Sequence, residues 1–368
     1  MTVWNCWPVR MPIRDCLEIS LENSDPRRPL ASHGDSCHGL RMPISHRRAL
    51  GALIAATALW GLSFPLVKCL LFEQQAMVPE AGSWFLSAWG LAIRFGLGAL
   101  LLLPWVFQFG VRANEWKQGG VLAFWCGFGM WFQSDALAHT AASTSAFLTQ
   151  GYCLFLPLWF AVQSRKWPST RVLLATVMVI SGVTWLSGVG PENLRLGRGE
   201  TETLLAALFF TFQILTLENP RYSGNRGLPV AFVMFAAIGL VLLPMVWWTA
   251  PAPAAILRVG ASADVLWLLL ALTVFSTVGA YLLMIFFQRG VSATEAGLIY
   301  CAEPVFTAGY VLFLPSIIGA WTGNTYANET WTPALIGGGL LITLANAIMQ
   351  TGGGKNKPAP GTAVHPPV

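Results

Sequence analysis

Charge is spaced along this chain in a way that leaves few folds open to it. Asp, Glu, Lys and Arg make up 11% of the 368 residues, against about 25% in an ordinary soluble protein. From residue 49 to residue 352 they fall mostly between long apolar stretches. Hydrocarbon offers no water to backbone polar groups, so only helices and closed barrels cross it. A helix needs about 20 apolar residues per crossing. The chain supplies that length repeatedly, so a polytopic helical membrane protein is expected rather than a soluble domain with a large core.

The mean hydropathy of +0.57 and the length allow about ten spans with short loops. The net charge of +5 is read through topology rather than nucleic acid, because Lys and Arg gather on the cytoplasmic side. The seven Cys form no CxxC and have no His cluster beside them, so neither a structural disulfide nor a metal site is expected. Residues 1–48 carry seven Arg and five acids without sustained periodicity. They read as a disordered cytoplasmic tail, as do 352–368. Met42 is followed closely by the first apolar run, so whether 1–41 belong to the native protein is open.

Ten spans are expected at about 49–71, 84–108, 118–137, 142–162, 171–189, 202–218, 228–249, 264–287, 292–314 and 332–351. With the N-terminus inside, Arg112, Lys117, Arg165, Lys166, Arg171, Arg221, Arg226, Arg289, Lys355 and Lys357 fall in inside segments. Only Lys68, Arg195, Arg198 and Arg258 fall outside. That imbalance favours both termini inside, and hence an even number of spans. The connector 315–332 is the longest internal one and is expected outside.

Residues 139–157 and 289–307 resemble each other at an offset of 150. They hold the fourth span of two sets of five. An odd-numbered repeat enters the membrane with opposite orientation the second time, which the charge bias also requires. The expected units are 49–190 and 200–351, two inverted five-helix repeats. Inverted repeats are a common plan for alternating access, with the substrate site between the halves.

The carrying residues are Ala58-Leu59-Trp60-Gly61-Leu62-Ser63-Phe64, Arg94-Phe95, Ser143-Thr144-Ser145-Ala146 and Glu303-Pro304-Val305-Phe306. In this order and spacing the chain resembles the EamA-type permeases of the drug/metabolite transporter superfamily over about 49–351. The resemblance implies ten transmembrane helices, cytoplasmic termini and secondary transport of small metabolites, often outward. The family commonly carries a Glu-Pro pair in either repeat. Here Cys153-Leu154 stands opposite Glu303-Pro304, so only the second half carries the pair.

Two charges fall inside spans. Arg94 is placed near the middle of span two, where a cation costs roughly 2.5–3.5 kcal/mol on insertion scales. It is a candidate for binding an anionic or zwitterionic substrate, or a structural partner for an acid such as Glu303. Glu303 is placed near the middle of span nine, with Pro304 removing a helical donor beside it. It is a candidate proton-coupling carboxylate, and Glu303 with Pro304 a candidate gating break. Gln150, Tyr300 and Trp60 are candidate substrate contacts, Gln150 and Tyr300 at equivalent repeat positions. Packing and interhelical hydrogen bonds explain such residues equally well.

No HExxH, GxxxxGK[ST] or supported Ser/His/Asp set is present, so an enzyme is disfavoured and no cofactor is expected. The expected function is secondary active transport of small metabolites across the cell inner membrane by alternating access, preferentially export. The expected partners are the lipid bilayer, a small-molecule substrate and protons as a coupling ion. The alternative is a non-transporting membrane receptor or scaffold.

Overall fold

The computed structural model describes residues 45–165, 167–186, 196–217, 219–288, 291, 296 and 299–352. The tails assigned from sequence, and much of the repeated segment after Arg289, lie outside these residues. Among the described residues all regular structure is helical. The helices are α1 His46–Met77, α2 Ser83–Phe109, α3 Ala113–Ala136, α4 Ala142–Thr149 and α5 Tyr152–Ser164. Then come α6 Thr170–Leu186, α7 Arg198–Leu217, α8 Gly227–Thr249, α9 Pro253–Arg258 and α10 Ala263–Phe287. The last are α11 Glu303–Tyr310, α12 Leu314–Thr322 and α13 Pro333–Gly352.

Six of the described helical segments are long and apolar enough to cross a membrane: α1, α2, α4 with α5, α7, α8 and α10. A seventh is added if α11 and α12, bent by 49° at their junction, form one span. Thr170–Leu186 and Pro333–Ile348 are apolar but shorter. Helix α3 has 24 residues, but Gln118, Gln133, Ser134 and Asp135 dilute its apolar character. Six or seven spans by length and composition therefore stand where ten were expected.

The outer faces need an apolar solvent. On α8, Phe235 and Ile238 are buried while Leu240, Trp247 and Trp248 are exposed, Trp248 by 86%. A helix apolar all round is a buried or membrane-spanning one. Leu100, Leu101 and Trp105 on α2 are exposed in the same way.

Ion pairs mark two ends. Glu115 opens α3 and pairs with Arg226 at the start of α8. Asp135 closes α3 and pairs with Arg198 at the start of α7. Twenty residues of helix separate these belts by about 30 Å, close to the hydrocarbon thickness of a bilayer. The end bearing Glu115 and the start of α1 is called the near end, and the other the far end. The near end carries Arg47, Arg48, Arg112 and Lys117.

Packing between the helices is reciprocal. α2 lies on α8, and α6 on α13. α1 lies on α10 as α3 lies on α7, and α1 on α11 as α7 on α4. Small residues set the closest approach. A Cβ on Gly182 would stand 2.8 Å from the Gly338 carbonyl, and one on Gly338 would stand 2.8 Å from the Gly182 carbonyl. Backbones of α6 and α13 thus touch, as small-residue interfaces in membranes allow.

Candidate functional site

Two helices break at the centre of the fold. α4 stops at Thr149 and α5 starts at Tyr152, with a turn at Gln150 and Gly151. In the second segment a turn at Cys301 and Ala302 precedes α11. At the offset of 150 the second turn falls one residue beyond the position equivalent to the first. Glu303 is therefore the first residue of a helix rather than a mid-helix residue, which corrects the sequence expectation. Pro304 falls in the first turn of α11, where a missing N–H costs nothing. It starts the helix rather than orphaning a carbonyl within it.

The breaks face each other. Gln150 Nε2 donates to Glu303 Oε2 at 3.3 Å. Gln150 is 1% exposed. α1 closes over this contact. A Cβ on Gly61 would meet the Glu303 carbonyl oxygen and Phe306 Cβ, each at 3.0 Å. Thr307 Oγ1 donates to the Gly61 carbonyl at 3.1 Å. Gly61 is thus a glycine that lets α1 approach the break. Beside it, Trp60 meets Tyr300 edge to face at 5.5 Å and Tyr281 at 6.0 Å. Tyr300 donates to exposed Gln288 at 3.2 Å, so the cluster reaches the end of α10, at the near end. Trp60, Gln150, Tyr300, Glu303 and Pro304 are brought into one neighbourhood.

Arg94 lies elsewhere. It is 3% exposed and its Nε donates to Thr277 Oγ1 at 2.5 Å. Thr273 Oγ1 donates to the Arg94 carbonyl at 3.4 Å. Both threonines sit in a π-helical stretch of α10, Leu272–Gly279. Such bulges often accompany functional sites, because they turn side chains out of helical register. Among the described residues no carboxylate pairs with Arg94, so the proposed Arg94–Glu303 bridge is not formed. Arg94 lines two narrow crevices between α1, α2 and α3, each with room for no more than about one water molecule.

Helix α1 runs to Met77, beyond the expected end at residue 71, and so brings polar residues inside that sequence reasoning placed in a loop. Gln74 is 0% exposed, with neither amide atom hydrogen-bonded. Glu73 accepts from Asn324 Nδ2 at 2.8 and 2.9 Å and from the Tyr326 hydroxyl. Glu329 accepts the Ala142 N–H at 2.8 Å and the Ser143 hydroxyl. A carboxylate suits the N-terminus of a helix, here α4. Residues 324–329 thus bind α1 and α4 together at the far end. Lys68 Nζ donates to the Thr140 carbonyl at 2.7 Å in the same region.

No family model matches the chain. A protein of Archaeoglobus fulgidus (strain ATCC 49558 / DSM 4304 / JCM 9628 / NBRC 100126 / VC-16), named an uncharacterized transporter, is 26% identical over 305 residues, covering 82% of this chain and 85% of that protein. A solved structure, described only as the crystal structure of a protein, aligns at a TM-score of 0.48 and 16% identity, over 79% of this chain and 95% of that one. With its apolar helices and this relative, the chain is a multi-pass membrane protein similar to a transporter.

Proposed function

We propose that this protein is a secondary active transporter of small metabolites that works by alternating access. The observation that carries the reading is the pair of broken helices meeting at Gln150 and Glu303. Broken helices expose backbone and polar side chains at membrane depth, and they are tolerated where they line a cavity. Breaks one residue from equivalence and reciprocal helix packing support two related halves of inverted orientation, in the manner of the EamA-type permeases. The transporter relative supports the same class.

In this reading Trp60, Tyr300 and Gln150 contact the solute and Glu303 carries the coupling proton. An intramembrane carboxylate is costly as an anion. It therefore gains a proton when the solute leaves and releases it when the path to water opens. Arg94 provides a second polar contact from α2. Pro304 fixes where α11 begins, and so where Glu303 points as the halves rock. Residues 324–329 tie α1 and α4 together at the far end, while Tyr300 leads to exposed Gln288. In this reading the far-end contacts form one gate, and the charge bias assigns the near end to the cytoplasm.

The test is flux in proteoliposomes holding the purified full chain, with and without a pH gradient. A panel of amino acids, nucleosides and organic cations and anions is compared between wild type and Glu303→Gln. Gradient-driven flux in wild type, lost in the variant, supports the reading. A folded wild type that moves none of these solutes argues for a receptor or scaffold.

A further inference from the structure

At the far end one cation is held by two acids. Arg198 Nη2 donates to Asp135 Oδ2 at 2.6 Å, and its Nε donates to Glu202 Oε1 at 2.8 Å. Asp135, at the end of α3, is 0% exposed, and Glu202, in the second turn of α7, is 8% exposed. Two carboxylates against one guanidinium leave an excess negative charge. Holding such a charge in a buried place is costly unless something compensates it.

The oxygens that Arg198 does not reach are left over. Asp135 Oδ1 and Glu202 Oε2 are both buried and accept no hydrogen bond. Yet the two side chains lie within hydrogen-bonding reach of each other. Two ionised carboxylates cannot pair, because each only accepts. Like charges this close do not both stay ionised. One proton resolves both problems. A protonated acid donates, so a proton between Oδ1 and Oε2 gives each orphan oxygen a partner and cancels the excess charge.

The surrounding groups do not take its place. His139 Nε2 lies 3.6 Å from Asp135 Oδ2 and 3.1 Å from Ser83 Oγ. A proton on His139 would face the oxygen that Arg198 already serves, and would leave Oδ1 and Oε2 unpaired. Lys68 of α1 donates to the Thr140 carbonyl, and Glu200 of α7 accepts from the Thr140 hydroxyl. α2 presents the Trp84 ring to Arg198. α4 and α8 carry no charged residue, and on α5 Tyr152 and Cys153 face Gln150. A metal ion needs more ligands than two oxygens. Among the described residues no three His, Cys, Asp or Glu side chains are grouped to hold one. A bridging water would donate to both oxygens but leave the excess charge in place.

We propose that Asp135 and Glu202 form a binding site for one proton, held between Asp135 Oδ1 and Glu202 Oε2, and that this proton fastens α3 to α7 at the far end. The site is separate from Glu303 and goes beyond the transport reading. Arg198 and His139 are partly exposed, so the pair lies next to far-end water. Release of the proton to that water leaves two facing carboxylates, whose repulsion loosens the joint.

The experiment follows the thermal unfolding midpoint of the full-length protein in detergent from mildly acid to mildly alkaline pH. Wild type is compared with Glu202→Gln, Asp135→Asn and His139→Gln. An unfolded chain holds no proton on these carboxyls at neutral pH, whereas the folded pair holds one. A folded state that binds the extra proton loses stability as pH rises. Each pH unit over which it holds one more proton shifts the unfolding equilibrium by about tenfold. Glu202→Gln puts an amide donor where the proton was, and Asp135→Asn does so from the other side. Both are expected to flatten the fall, and His139→Gln to keep it. Infrared spectra at neutral pH give a second readout. The carbonyl stretch of a protonated carboxyl, shifted by exchange into deuterium oxide, is expected to be stronger in wild type than in either isostere.

A wild type whose midpoint does not fall as pH rises overturns the proposal, and that result needs no variant to fold. So does a fall that survives in both folded isosteres, or an infrared band unchanged in both. A fall that disappears in His139→Gln puts the proton on the imidazole and overturns it too. Glu303 is intact in all four proteins, so its own titration cancels in the comparison. The flux of Glu303→Gln bears on the transport reading alone, so the two fail separately.

Discussion

Gln150 and Glu303 stand 153 positions apart in the chain, yet the amide of one donates to the carboxylate of the other at 3.3 Å. Gln150 lies in the turn between α4 and α5, and Glu303 is the first residue of α11. Removing the amide leaves the half-buried Glu303 without that donor. A hydrogen bond to a charged group contributes about 1.5–3 kcal/mol, so Gln150→Leu is expected to slow solute flux by roughly 10-fold or more. Initial rates in proteoliposomes check this. The Cys153 thiol, 3.9 Å from Gln150 Oε1, is too weak a donor to substitute.

The far-end latch predicts a change in access. Glu329 holds the start of α4, and Glu73 on α1 is held by Asn324 and Tyr326. Glu329→Ala removes the acceptor that ties this connector to α4. Cys69, 2% exposed on α1 one turn from Glu73, then becomes easier to reach from the far side. In a variant retaining Cys69 as its single Cys, labelling by a membrane-impermeant maleimide is expected to speed up several-fold. An unchanged rate would show that the connector does not control access.

The near end predicts a pH dependence. Arg226 donates from Nε and Nη2 to the two Glu115 oxygens, at 2.7 and 2.8 Å, and the Arg112 N–H adds a bond at 2.7 Å. The Arg226 hydrogen bonds, together with those from backbone N–H groups, hold the Glu115 carboxyl down at about 2 against an ordinary 4.5. A depressed carboxyl stabilises the fold above its ordinary value, and that stability is lost as pH falls towards the depressed one. Glu115→Gln is expected to lower the unfolding midpoint near pH 7. The gap to wild type should shrink as pH falls from about 4.5 towards 2.

Helix contact through glycine predicts a stability loss. Gly182 and Gly338 each leave too little room for a Cβ against the other's carbonyl. Gly338→Val would force α6 and α13 apart. Overpacking of this kind typically costs about 1–3 kcal/mol. The midpoint of thermal unfolding in detergent checks it, with Gly51→Ala as a control where no atom lies within 4 Å of the added Cβ.

The long apolar runs made the helices legible, because an uninterrupted run near 20 residues has few other uses. Arg94 and Glu303 were legible for the opposite reason, as charges where charge is costly. What sequence hid was depth and register. α1 continues through Glu73, Gln74 and Gln75, polar residues that look like a loop, because connector residues Asn324 and Tyr326 satisfy Glu73 from 251 and 253 positions away. A break at Glu303-Pro304 was legible from the proline, but not that it is a helix start, since Pro304 is compatible with both a kink and a helix start. The partner of Glu303 was not legible at all. The repeat pairs Gln150 with Tyr300, whereas space pairs Gln150 with Glu303.

The most direct test of the account is the gradient-driven flux of a solute into proteoliposomes by wild type and Glu303→Gln, both checked for a monodisperse fold. The account predicts that a pH gradient drives accumulation in wild type and that Glu303→Gln loses it. Equal gradient-driven accumulation by both proteins would contradict it, and would return Glu303 to a purely architectural role beside Gln150.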